Sequence, residues 1–128
     1  MRRVFIAIAA LTGPAVVAVA QAPASWELRA MVGPHDSVIV TFTITVGADG
    51  KWTMALPEHD PIPMRIVTTG GDSTVAEAGP YASVLRKGET VNARYVAHFH
   101  GDEVSGTFAA QYSGGSVTTG KIAGTKRP

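Results

Sequence analysis

The stretch VNARYVAHFHGDEVSGTFAAQY, Val91 to Tyr112, decides the fold. As far as His100 its odd positions are apolar (Val91, Ala93, Tyr95, Ala97, Phe99) and its even positions mostly polar (Asn92, Arg94, His98, His100). Alternation with a period of two places one set of side chains on each face of a strand. Gly101-Asp102 then fits a two-residue hairpin turn, because glycine accepts the positive φ such turns require. Beyond the turn the parity flips, and Val104, Gly106, Phe108, Ala110 and Tyr112 form the apolar set. The turn pairs His100 with Glu103, Phe99 with Val104, Ala97 with Gly106 and Tyr95 with Phe108, and it leaves only Val96 opposite Thr107 mismatched. A slip of one residue would destroy that agreement. His98-x-His100 followed by Asp102 and Glu103 has the look of a metal site, but this register makes it the polar face of a hairpin, with His100 able to pair with Glu103.

The same period runs outward in both directions. Val38, Val40, Phe42, Ile44 and Val46 share one face, with Thr41, Thr43 and Thr45 on the other. Before them Trp26, Leu28, Ala30 and Val32 alternate with Glu27, Arg29 and Met31, and after them Trp52, Met54 and Leu56 share a face. Further strands are expected at about 63–69, 73–78 and 116–125, separated by Gly-, Pro- and Asp-rich turns. Pro80 lacks the N–H a central strand needs, so Tyr81 to Arg86 is expected to leave the sheet as a short helical or irregular cap.

The expected fold is therefore all-β, a single antiparallel eight-stranded up-and-down meander with a short cap between strands five and six. Eight strands allow antiparallel pairing all the way round, and closure removes exposed edges, so a small closed barrel is favoured over an open sandwich. The longer connections, including the cap, gather at one rim, which becomes the mouth.

Residues 1–20 read differently. Met1-Arg2-Arg3 is a short positive start, Val4 to Val19 is almost wholly apolar, and Ala18-Val19-Ala20 is a small-x-small cleavage site. That order is a secretory signal peptide, and it places the chain in the periplasm or outside the cell. The competing expectation is a retained membrane anchor, although 16 residues make only about 24 Å of helix against a hydrocarbon core of about 30 Å. Gln21 to Pro128 is 108 residues, one domain. Without Arg2 and Arg3 the charges are 9 basic against 10 acidic, which gives no electrostatic case for nucleic acid. The absence of cysteine excludes a disulfide framework, thiolate metal sites and a cysteine nucleophile.

Chemistry is sparse. His98 and His100 have a spacing that zinc sites on strands use, with Glu103 as a third ligand, but they lie on the solvent side and far from His35 and His59. Glu58-His59-Asp60, stiffened by Pro57, Pro61 and Pro63, could orient a histidine for acid–base work and equally suits an ordinary rim loop. Gly70-Gly71-Asp72-Ser73 has no helix after it to hold a phosphate and is a turn. No catalytic residues, metal or cofactor are expected. On the inward face, Tyr95, Phe99, Phe108 and Tyr112 alternate with Ala93, Ala97, Gly106 and Ala110, beside Trp52 and Met54. An eight-stranded barrel is either just filled by such residues or left holding one small ligand.

Trp26 at the start of the first strand, the eight-strand meander, and Lys126 or Arg127 ending the last strand resemble the calycin group, the lipocalin-like and avidin-like small barrels. The run GDEVSGTF…GG…GKIAGTK is also similar to small secreted bacterial domains of this type. In lipocalins a Trp and an Arg so placed pack across the closed end. This chain departs from them in carrying Ala24 where they carry Gly, in lacking disulfides and in being short. The resemblance implies a non-enzymatic barrel that binds a small apolar ligand among Trp52, Met54, Tyr95, Phe99, Phe108 and Tyr112. The alternative is an extrinsic subunit of a membrane-associated complex, docked through rim loops or the outer Thr face. A retained leader would hold that subunit at the membrane.

Overall fold

A computed structural model describes residues 23–128; the leader expected over residues 1–20 lies outside them. Eight strands follow in order: β1 (Ala24–Val32), β2 (Ser37–Val46), β3 (Trp52–Ala55), β4 (Ile62–Gly70), β5 (Ser73–Ala82), β6 (Thr90–His100), β7 (Glu103–Tyr112) and β8 (Val117–Lys126). Each pairs antiparallel with the next, and β8 returns to β1, from Trp26↔Lys126 to Met31↔Lys121, so the barrel is closed. This is the meander expected from the sequence, and the architecture is compatible with a calycin-like fold. The β6–β7 hairpin holds the register argued above, His100↔Glu103, Phe99↔Val104, Ala97↔Gly106 and Tyr95↔Phe108. Its turn places Gly101 at φ 58°, the conformation a type II′ turn needs at its first position. Gly71-Asp72 repeats the device between β4 and β5, with Gly71 at φ 57°.

Besides a slip at Val67 in the β4–β5 pairing, three irregularities depart from simple alternation. Pairing of β1 with β2 slips between Ala30↔Val40 and Met31↔Val38, so Ile39 is an extra residue and parity reverses beyond it. Val38, expected on the inner face, is consequently 53% exposed, and Met31 is buried. The second irregularity lies in β5, which does not stop at Ala78 but runs through Pro80 to Ala82. Its pairing with β6 passes from Ala78↔Ala93 to Tyr81↔Val91, a bulge that accommodates a proline missing its N–H, and Gly79 there adopts φ 116°. Tyr81 thereby belongs to the barrel wall, and the cap shrinks to an irregular turn over residues 83–89. The third is the brevity of β3. It pairs with β4 only from Met54↔Ile62 to Trp52↔Met64, so beyond Met64 the strand β4 is paired on its β5 side alone. Closure has left one edge open, and Ile66 and Val67 are exposed on it.

Inside the barrel a continuous core runs from Trp26, Leu28, Phe42 and Ile44 across to Tyr95, Phe108 and Ile122. The end where β1 begins and β8 finishes, which also holds the two tight hairpin turns, is sealed by aromatic rings. Phe99 meets Trp26 at 5.0 Å and Trp52 at 6.0 Å, both edge to face. Arg127 does not reach across as the resemblance implies: its guanidinium goes to Glu27, 3.4 Å away, and its N–H donates to the Ser25 carbonyl.

Strands curl into a closed barrel of this size where glycine lets backbones approach. A Cβ on Gly106 would run into the Val96 carbonyl, on Gly120 into the Met31 carbonyl, and on Gly124 into the Glu27 carbonyl. Gly124→Ala and Gly106→Ala are each expected to cost about 1–3 kcal/mol through overpacking. Gly70→Ala, whose Cβ meets nothing within 4 Å, should change stability by no more than about 0.5 kcal/mol. Urea unfolding of the three variants checks this; equal midpoints would remove the close approaches from any account of closure.

Candidate functional site

Below the mouth the small residues leave space. A cavity of about 40 Å³ is walled by Ala30, Ala93 and Ala110, bounded by Phe42, Tyr95, Phe108 and Tyr112, and roofed by Ser83, Val84 and Leu85. It exists because β1, β6 and β7 present alanines to the interior at the level where the opposite wall offers Ile39, Val40 and Leu56. The volume is room for two or three waters, well short of the roughly 150 Å³ in which an engineered apolar cavity takes up benzene.

The roof is a compact turn. Ser83 Oγ accepts the N–H groups of Leu85 and Arg86 at 3.1 and 2.9 Å. The Ser83 N–H donates to the Glu89 carbonyl, and the Glu89 N–H to the Arg86 carbonyl. Two ties reach outward: Glu89 Oε1 accepts the Gly114 N–H at 3.0 Å, and the Arg86 guanidinium lies 4.7 Å above the Tyr112 ring. Val84 and Leu85 remain 42% and 47% exposed, so little apolar burial holds the roof down. Val38 and Val117, which start the strands on either side of mouth turns, are exposed as well, giving the rim an apolar character.

All three tyrosines of the chain line this cavity. The Tyr95 hydroxyl donates to Met54 Sδ at 3.3 Å and also lies within hydrogen-bonding reach of Tyr81; its single proton serves one of them at a time. Burial is the main cause that pushes the Tyr95 phenol well above the ordinary 10.0, with the charges of Tyr81 and Tyr112 and the hydrogen bond to Tyr81 acting the same way. Burial also raises Tyr81, against a hydrogen bond from Tyr95 that lowers it. Phe42 packs on Tyr95 with ring centres 5.6 Å apart, and His59 stands edge-on to Tyr81 at 5.8 Å. The His59 Nδ1–H donates to the Asp60 carbonyl, which fixes the ring beside the mouth.

Of the six residues proposed from sequence, Tyr95, Phe108 and Tyr112 line the cavity. Met54, fully buried, supports it through Tyr95. Trp52 and Phe99 belong to the aromatic seal at the opposite end and are not brought to it. Tyr81, Ile39 and Leu85 were missed. The first and second enter only through bulges, and the third only through the fold of the cap. The histidine pair does not converge either: His98 Nδ1 lies 2.7 Å from Ser73 Oγ, and His100 Nε2 sits 3.4 Å from Asp72 rather than on Glu103. Among the described residues no group of three metal-ligating side chains comes together. No protein-family model, curated protein or solved structure matches the chain.

The raised phenols make stability pH-dependent. Above pH 10 the unfolded chain releases Tyr95 and Tyr81 protons that the folded barrel retains, so unfolding becomes easier as the pH rises through the ordinary phenol value. Below that value neither state ionises these groups, and they add no slope. Urea midpoints between about pH 8 and pH 11 should fall, and Tyr95→Phe should flatten the fall. An unchanged slope in the variant would contradict a buried, protonated Tyr95.

Proposed function

We propose that this is an exported, non-enzymatic calycin-like barrel that binds one small apolar molecule at its mouth, beneath the 83–89 turn. The observation that carries the reading is the coincidence of an apolar cavity with a roof tied mainly by polar contacts at its margins. The rest of the interior argues for the same location. The far end is plugged by Trp26, Trp52 and Phe99, which leaves the mouth as the end with room to yield. Binding would lift Val84 and Leu85 and exchange their partial exposure for contact with ligand. The leader at residues 1–20 is consistent with work in the periplasm or outside the cell.

A second reading, an extrinsic subunit of a membrane-associated complex, is favoured by one feature: the half-paired edge of β4 with Ile66 and Val67 exposed. Unpaired strand edges of this kind accept an added strand.

The neutral probe N-phenyl-1-naphthylamine tests the ligand reading. Its fluorescence is expected to rise on mixing with the protein. Leu85→Trp, a substitution at a half-exposed roof position that fills the entrance, should weaken binding about tenfold without altering the unfolding midpoint. Equal affinity in the variant, or no fluorescence change with the native protein, would overturn a mouth site.

A further inference from the structure

The polar side chains of the cavity are all hydroxyls. Its lining contains no acid, no base and no amide; the polar side chains are Tyr81, Tyr95, Tyr112 and Ser83, each with an O–H to donate. The acceptor capacity of Ser83 is already engaged by two backbone N–H groups. Tyr95, only 7% exposed, spends its proton on the thioether of Met54, a weak acceptor, or on a neighbouring phenol that has a proton of its own. A buried phenol prefers a full partner, and an oxygen acceptor brought to this place would be a better one than sulfur. Arg86 is not part of the lining, and its guanidinium is stacked on the Tyr112 ring.

From the weak acceptor left to this buried donor we infer that the occupant is a neutral molecule with an apolar body and one hydrogen-bond acceptor, a carbonyl compound such as a ketone or quinone, with its oxygen placed against the Tyr95 hydroxyl. This rests on the mouth-site reading. A pure hydrocarbon would leave the phenols as they are. A carboxylate would have to shed its hydration in a space that offers it no positive charge, and the upward displacement of both phenols reflects how poorly the same surroundings accept an anion.

Three probes of similar size separate these cases: acetophenone, ethylbenzene and benzoate, each used to displace N-phenyl-1-naphthylamine. Acetophenone is expected to displace it at a concentration about fivefold below that of ethylbenzene, the effect of one neutral hydrogen bond, with benzoate the weakest. Tyr95→Phe keeps the ring and removes the donor, and should bring acetophenone and ethylbenzene within about twofold of each other. Should that variant unfold, Tyr112→Phe, which removes a second donor from the same lining, should narrow the same gap. If acetophenone and ethylbenzene compete equally in the native protein, the carbonyl preference is wrong while the mouth site stands. If benzoate is strongest, the site reads an anion through Arg86 and the inference falls. If the fluorescent probe fails to bind at all, the mouth site itself fails.

Discussion

Eight strands become a barrel only when the last can be laid against the first, and in this chain that depends on bare backbone. At Gly120 and Gly124 the strand β8 passes so close to β1 that a methyl group would meet the carbonyls of Met31 and Glu27. Gly106 does the same for β7 against β6. These approaches set how tightly the wall curves, and the curvature in turn decides how much space the inward side chains must fill. The fold has no disulfide to hold it and relies on apolar packing and strand pairing that returns to its first strand. One steric constraint on a few glycines therefore governs closure, core volume and what is left over at the mouth.

The interior divides by the size of its side chains. At the closed end, two tryptophans and a phenylalanine pack edge to face. Towards the mouth, alanines on β1, β6 and β7 replace large residues, and the space they vacate is only partly taken up by Phe42, Phe108 and the three tyrosines. Collecting every tyrosine of the chain in one apolar pocket has a thermodynamic consequence. The Tyr95 hydroxyl is kept from water and uses a thioether or the neighbouring Tyr81 as its partner. The pocket is thus slightly underfilled and leaves Tyr95 with a weak acceptor, two deficits that a single small molecule with one oxygen would relieve together. The roof that would move is a segment with little apolar burial, where local opening costs little.

Much of the architecture was legible because the relevant signal is local. The parity flip at Gly101-Asp102 specifies the β6–β7 register to the residue, and the same alternation names an inward set for β1, β2 and β3. What escaped was each place where a strand gains a residue. Ile39 reverses the parity of β2, so Val38 faces out although its type and spacing say otherwise. Gly79-Pro80 looks like the end of a strand, and it is a bulge within one that carries Tyr81 into the cavity. Bulges are set by how distant strands meet, and a single strand's period contains no record of that. For the same reason the inward aromatic residues were recognisable as a set but not divisible into a seal and a pocket. That separation depends on which end of the barrel Trp52 and Phe99 occupy relative to Tyr95 and Tyr112 once the barrel is staggered and closed. The pairing of His100 with Asp72 in place of Glu103 is a matter of neighbouring hairpins, equally invisible from one.

The most direct measurement is the intact mass of the protein purified from the cells that make it, recorded under non-denaturing conditions and again after unfolding. The expected result is a polypeptide beginning at Gln21 that carries one small neutral molecule, released when the barrel unfolds. A bare polypeptide held in stoichiometric complex with another protein would contradict a ligand-binding mouth and make the open edge of β4 the working surface.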